Sequence, residues 1–224
     1  SEEKVFVVGG MGLDCIERLQ LLDRSELEES LGCQLGTRSL LITFHPVTLE
    51  AESSLEQLGE LLAALEERGD TRLILTLPNA DPGGHGHAGL VEEFARSNSN
   101  ALVVTSLGQR RYLSCLREVD GVVGNSSSGL LEAPSLGTGT VDIGSRQLGR
   151  LRAPSVLSCN PLRAEISATI DRLYSPDFRE ILKVRVSPYG SAGASAKVVA
   201  SLQGVSLTEI RAKSFVDLPW MAEE

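Results

Sequence analysis

The chain has 224 residues, enough to bury a sizeable core as one large domain or two small ones. Hydrophobic residues make up 42% and charged residues 23%, the balance of a soluble globular protein. A net charge of −9 with no Lys/Arg-rich run argues against nucleic-acid binding, which needs phosphate neutralisation.

Short β-branched runs alternate with longer helical patterns. Residues 4–8 (KVFVV) read as a first strand ending at Gly9-Gly10, 39–44 (SLLITF) as a second, 72–77 (RLILTL) as a third and 101–105 (ALVVT) as a fourth. Residues 121–124 (GVVG), 140–143 (TVDI) and 155–158 (SVLS) are shorter candidates. The clearest helix covers residues 49–67, where Leu55, Leu58, Leu62 and Leu65 recur on one face. Further helices are expected at 89–97, 109–118, 129–136 and 163–173, with a short one after the small-residue turn in 187–204. Aromatics are only 4%, so Leu, Val, Ile and Ala must fill the core.

Continuous apolar strands separated by helices indicate a doubly wound α/β layer, a parallel sheet covered on both faces. No linker divides it, so a single domain over 1–224 is expected, with 205–224 a tail or a packing arm. No apolar run approaches the length of a membrane span, and the acidic start SEEKVFVVGG lacks the blocks of a signal peptide. A cytoplasmic protein without nucleic-acid or membrane partners is expected. The four cysteines, Cys15, Cys33, Cys115 and Cys159, are far apart and read as free thiols.

In such a sheet, ligands sit beyond the C-terminal ends of the strands. His45 follows the second strand in TFHPVT, where Pro46 biases it toward extended backbone. A histidine there can donate to a phosphate or exchange a proton near neutral pH, although position alone favours a structural role. Asn79 follows the third strand and can reach a ligand at its end. His85 and His87, in PNADPGGHGHAG with only Asp81 nearby, fit a mobile exposed loop better than a metal pair. No metal and no cofactor is expected.

Residues 121–137 (GVVGNSSSGLLEAPSLG) read as strand, small-residue turn and helix start. Unpaired N–H groups at a helix start attract a phosphate, and the hydroxyls of Ser126 and Ser127 add donors. A Ser-rich N-cap with no ligand has the same pattern. The stretch is neither a Walker A loop nor a GxGxxG fingerprint. Glu132, one to two turns on, suits two ribose hydroxyls or serves as a helix-dipole partner. Residues 143–152 (IGSRQLGRLR) hold three arginines and no acid. Arg146 fits bidentate phosphate contact, whereas surface solvation better suits Arg152.

Five blocks, VFVVGGMGLDCI (5–16), ITFHPVTLE (42–50), LPNADPGG (77–84), GNSSSGLLEAPSLGTGTVDIGSRQLGR (124–150) and SPYGSAGASAKVV (187–199), together resemble the hydrolysing UDP-N-acetylglucosamine 2-epimerases. The likeness is greatest to the branch that makes N-acetylmannosamine for sialic acids, with its relatives acting on UDP-diacetylbacillosamine. It implies the C-terminal lobe of a GT-B-type enzyme of two Rossmann-like lobes, with substrate in the cleft and the N-terminal lobe as partner. A homodimer of the full-length protein is a further expectation. The resemblance implies that His45 contacts the phosphate region and assists the chemistry, and that Asn79 lies near the substrate. Leu107 (by its backbone) and Tyr112 would flank the uracil, Ser126 and Ser127 hold the diphosphate, Glu132 bind the ribose and Arg146 contact the nucleotide.

The implied reaction eliminates UDP to give a 2-acetamidoglucal, then adds water, yielding N-acetylmannosamine and UDP. The carboxylates of proton transfer belong to the other lobe, so this chain alone is expected to bind UDP without turnover. Two positions depart from the family: Gly139, where proline is usual, and Ser191, where a more polar or acidic residue is common. Half of a GT-B glycosyltransferase, or a non-catalytic nucleotide-sensing lobe, are the alternatives.

Overall fold

The computed structural model describes residues 5–47, 51–78 and 84–205. Six strands form one sheet: β1 (Ser39–Thr43), β2 (Arg72–Thr76), β3 (Ala101–Val104), β4 (Gly121–Gly124), β5 (Gly139–Ile143) and β6 (Val156–Cys159). Their order is β3-β2-β1-β4-β5-β6, and every neighbouring pair is parallel. Strands β1, β4 and β5 are buried at every position, which is why they read as unbroken apolar runs.

Successive side chains go to opposite faces and so build two cores. Leu40, Ile42, Leu73 and Leu75 pack with Leu58, Leu61 and Leu65 of α3 (Ala51–Glu66) and Ile166 and Ile170 of α8 (Arg163–Leu173). Leu41, Ile74 and Val122 pack with Leu27 of α2 (Arg24–Leu31) and with Leu113 and Leu116 of α5 (Gly108–Glu118). The doubly wound, Rossmann-like layer expected from the sequence is present.

The remaining helices are α1 (Met11–Arg18), α4 (Gly84–Ser97), α6 (Ser128–Leu131), α7 (Ala133–Leu136), α9 (Pro176–Lys183) and α10 (Ala194–Gln203). Residues 5–8 form no strand. They run as exposed chain, with Val7 93% accessible, because β propensity makes no strand without a neighbour to pair with. The expected helix over 129–136 is split into α6 and α7 at Glu132, just before Pro134, which has no N–H to continue the ladder. Leu55 stays 38% exposed, and the buried face of α3 runs through Leu58, Leu61, Leu62 and Leu65. The expected arm or tail at the C-terminus lies almost wholly outside the described residues. Among those residues, no helix is long and apolar enough to cross a membrane.

Candidate functional site

The strand order reverses between β1 and β4, so their following loops diverge and open a crevice at the strand ends. The two strands finish in register, Thr43 beside Gly124. A Cβ on Gly124 would lie 2.1 Å from Thr43 O, and its φ is +141°, so glycine alone allows this approach.

Asn125 comes next and is buried. Its N–H donates to Thr43 O at 3.2 Å. Its side chain meets the backbone of His45 twice: His45 N–H donates to Oδ1 at 2.7 Å, and Nδ2 donates to His45 O at 2.9 Å. Its own carbonyl accepts from Arg146 Nη1 at 3.0 Å and from Gln147 Nε2 at 2.7 Å. The histidine loop, the serine turn and the arginine loop therefore converge on one residue. Sequence reading passed over Asn125, because an asparagine in a Ser-rich turn looks like ordinary turn chemistry.

An open cleft of about 420 Å³ lies alongside, lined by Thr43, His45, Thr76, Leu107, Tyr112, Ser126 and Ser128 among others. Ser126 Oγ and Ser128 Oγ are 3.0 Å apart, and Ser128 also shares a hydrogen bond with the Tyr112 hydroxyl. Burial pushes the Tyr112 phenol above its ordinary pKa, which keeps it a neutral hydrogen-bonding group. Leu107 is buried at the start of α5, and its carbonyl accepts from Arg111 Nε at 3.0 Å. Ser127 makes no side-chain cap bond to α6, whereas Ser126 Oγ accepts from Ser128 N–H at 3.4 Å. Because α6 has only four residues, hydroxyl and N–H donors outweigh any helix dipole here.

Glu132 is half-buried and does not line that cleft. Its carboxylate lies against α1, so close that a Cβ on Gly12 would be 2.5 Å from Oε1. Its Oε2 is buried without a hydrogen bond, and burial pushes its pKa up to about 7. The α1 wall is itself pinned from afar. Asp14, buried in α1, accepts from the N–H groups of Gly193 (2.5 Å), Ala194 (3.1 Å) and Ser195 (2.7 Å) at the start of α10. Gly10 N–H donates to Tyr189 O at 3.1 Å. Blocks 5–16 and 187–199 thus meet beside Glu132.

Two expectations are corrected. Arg152 is not merely a solvated surface charge: its Nη2 pairs with the buried Asp142 at 3.0 Å and with Gln147 O at 3.3 Å, closing the arginine loop. His87 is not on an exposed loop: it is buried in α4, with Nε2 3.0 Å from Ser54 Oγ and its ring stacked on Phe44. Asn79 lies outside the described residues. The four cysteines are free, and among the described residues no cluster of three His, Cys, Asp or Glu could hold a metal.

Of the expected site residues, His45, Leu107, Tyr112 and Ser126 border the cleft, and Ser127 stands in the serine turn beside it. Arg146 is tied to the cleft through Asn125, and Glu132 flanks the serine turn on the α1 side.

A family model described as UDP-N-acetylglucosamine 2-epimerase matches residues 1–203. The chain is similar to the GDP/UDP-N,N'-diacetylbacillosamine 2-epimerase (hydrolyzing) of Campylobacter jejuni, with 31% identity over 220 residues, 97% of this chain and 57% of the relative. The UDP-N,N'-diacetylbacillosamine 2-epimerase (hydrolyzing) of Legionella pneumophila is 29% identical over 211 residues, 92% and 53% of the two chains. In fold, the chain resembles the UDP-GlcNAc 2-epimerase of Neisseria meningitidis bound to UDP-GlcNAc, at a TM-score of 0.75 and 16% identity, covering 92% of this chain and 57% of that one. The chain spans little more than half the length of these relatives.

Proposed function

The chain belongs to the UDP-N-acetylglucosamine 2-epimerase family, and from that premise we propose that its cleft holds the UDP portion of a UDP-N-acetylhexosamine. In this reading the chain is the C-terminal, nucleotide-binding lobe of a hydrolysing 2-epimerase. The complete enzyme converts UDP-N-acetylglucosamine and water to N-acetylmannosamine and UDP, by elimination and then hydration. The family's other lobe supplies the carboxylates that move the C2 proton, so this chain alone binds UDP without turnover.

Breaking the bond from C1 to the phosphate oxygen leaves extra negative charge on UDP, and donors fixed in place before the reaction stabilise it. Ser126, Ser127 and Arg146 serve the diphosphate, and His45 stands beside it as a further donor. Tyr112 and Leu107 border the base. Glu132, whose buried Oε2 lacks a donor, takes the ribose hydroxyls. The observation that carries this reading is the convergence of His45, the serine turn and Arg146 on Asn125, within a chain of net charge −9.

Calorimetric titration with UDP, UMP and UDP-N-acetylglucosamine tests it. UDP should bind more tightly than UMP, and Arg146→Ala should weaken UDP by about 10- to 100-fold, the range of a lost charge-assisted contact. Equal affinity for all three ligands would sink the diphosphate assignment. Release of N-acetylmannosamine from UDP-N-acetylglucosamine by this chain alone would refute the division of labour between lobes.

A further inference from the structure

Resting on that reading of the cleft, we propose that Asn125 is a positioning residue, whose amide sets where His45 stands relative to the serine turn and Arg146. The β1–β4 ladder ends at Thr43 and Gly124, and beyond it the chains diverge. The N–H and C=O of His45 would lose their partners there. The Asn125 side chain supplies both, with Oδ1 and Nδ2 each engaged at 2.7 and 2.9 Å.

The residue type follows from the geometry. A planar amide carries a donor and an acceptor side by side; aspartate lacks the donor, and glutamine adds a methylene that displaces both atoms. Asn125 is only 1% exposed, so its amide serves the His45 backbone rather than a ligand. Its carbonyl is engaged as well, by Arg146 and the buried Gln147. Any shift of Asn125 therefore moves His45 and Arg146 together. Positional errors of this kind act on ligand affinity without removing a single ligand contact.

The test is a double-mutant cycle on the folded chain, with UDP affinity by calorimetry and the imidazole Hε1 resonances by NMR. The His45 signal is assigned by its loss in His45→Ala. Asn125→Ala should weaken UDP about tenfold, yet by less than about twofold in the His45→Ala background, because the pair acts as a unit. The near-isosteric Asn125→Asp, which sets a carboxylate oxygen against the His45 carbonyl, should behave alike, and it carries the test should the alanine variant not fold. In both variants the His45 signal should shift without UDP present. Additive losses in the cycle, or an unmoved His45 signal, would overturn the proposal. A shifted signal with unchanged UDP affinity would uphold the clamp and remove the nucleotide reading beneath it.

Discussion

The two sides of the serine turn are built on opposite principles. On the β1 side, Asn125 pairs with the backbone of Thr43 and His45 and with the side chains of Arg146 and Gln147. On the α1 side, Glu132 is buried against Gly12 with one oxygen unpaired. In the first, the N–H, carbonyl and both side-chain polar atoms of Asn125 are all engaged without ligand, so it fixes geometry. The second is incomplete, so it gains most when donors arrive. On the proposed reading, the rigid side would face the diphosphate and the unsatisfied side the ribose, so that ribose binding would act as the latch on a departing diphosphate.

Gly124→Ala strikes the rigid side hardest. The added Cβ meets backbone on a neighbouring strand, at a φ that side chains rarely adopt, so nothing flexible can yield. We expect a loss of about 3 kcal/mol or more, seen as a fall in Tm of roughly 10 °C or as insoluble protein. A variant that melts with the wild type would mean that the β1–β4 contact is looser than the clamp requires.

The open side predicts the reverse sign. Burial raises the Glu132 pKa to about 7, above its ordinary value, so the folded protein favours the protonated acid. That contribution is fully present below the unfolded-state pKa, declines as pH rises, and is gone above about 7. Glu132→Gln imitates the neutral form and should raise the Tm of the free protein at pH 8 by about 3–6 °C, while lowering it little at pH 5. If Glu132 takes the ribose as proposed, the same change should weaken UDP at pH 8 by about tenfold, through loss of an anionic acceptor. Scanning calorimetry at the two pH values checks the first effect, and titration the second. Destabilisation at pH 8 would show that the carboxylate has partners it does not display.

The strands were legible because burial on both faces demands apolar residues at every position, and β1, β4 and β5 satisfy this. Local chemistry also revealed the serine turn and the histidine after β1. What stayed hidden was long-range. The Asn125 clamp spans 80 residues, and the Asp14 contacts with α10 about 180. Nothing in residue type distinguishes such an Asn or Asp from turn or surface residues. Helix α2 was missed despite its Asp23–Glu26 capping box, because Leu27 is its only fully buried residue and gives almost no periodic signal. Residues 5–8 misled in the other direction, with the propensity of a strand and no partner.

A gentler probe compares the two sides through pH. Asn125, Gln147 and Arg146 carry no group that titrates near neutrality. On the proposed ribose contact the ionised form of Glu132 binds better, so UDP affinity should weaken as pH falls through about 7, by up to about tenfold in all. Because the terminal phosphate of UDP titrates in the same window, the Glu132 contribution is read as the difference between the wild-type and Glu132→Gln profiles. Profiles from pH 8 to 5.5 that coincide in wild type and Glu132→Gln would take Glu132 out of the nucleotide site.

The smallest effect, and the most discriminating, should come from Asp14. Three N–H donors from residues 193–195 hold its carboxyl far below the usual carboxylate range. A depressed pKa contributes stability that is present above the unfolded value and lost only as pH falls well below it. Between pH 5.5 and 8, Asp14 therefore stays ionised and α1 stays pinned to α10. Asp14→Asn removes the charge but keeps the shape, loosening α1 and letting water reach Glu132 past Gly12. Solvation favours the carboxylate, so the midpoint of the UDP pH profile should move down by about one unit or less. Amide exchange over residues 194–197 should quicken at the same time. Faster exchange with an unmoved midpoint would mean that Glu132 owes its dryness to the α6–α7 break alone, and that α1 is a neighbour rather than a wall of the site.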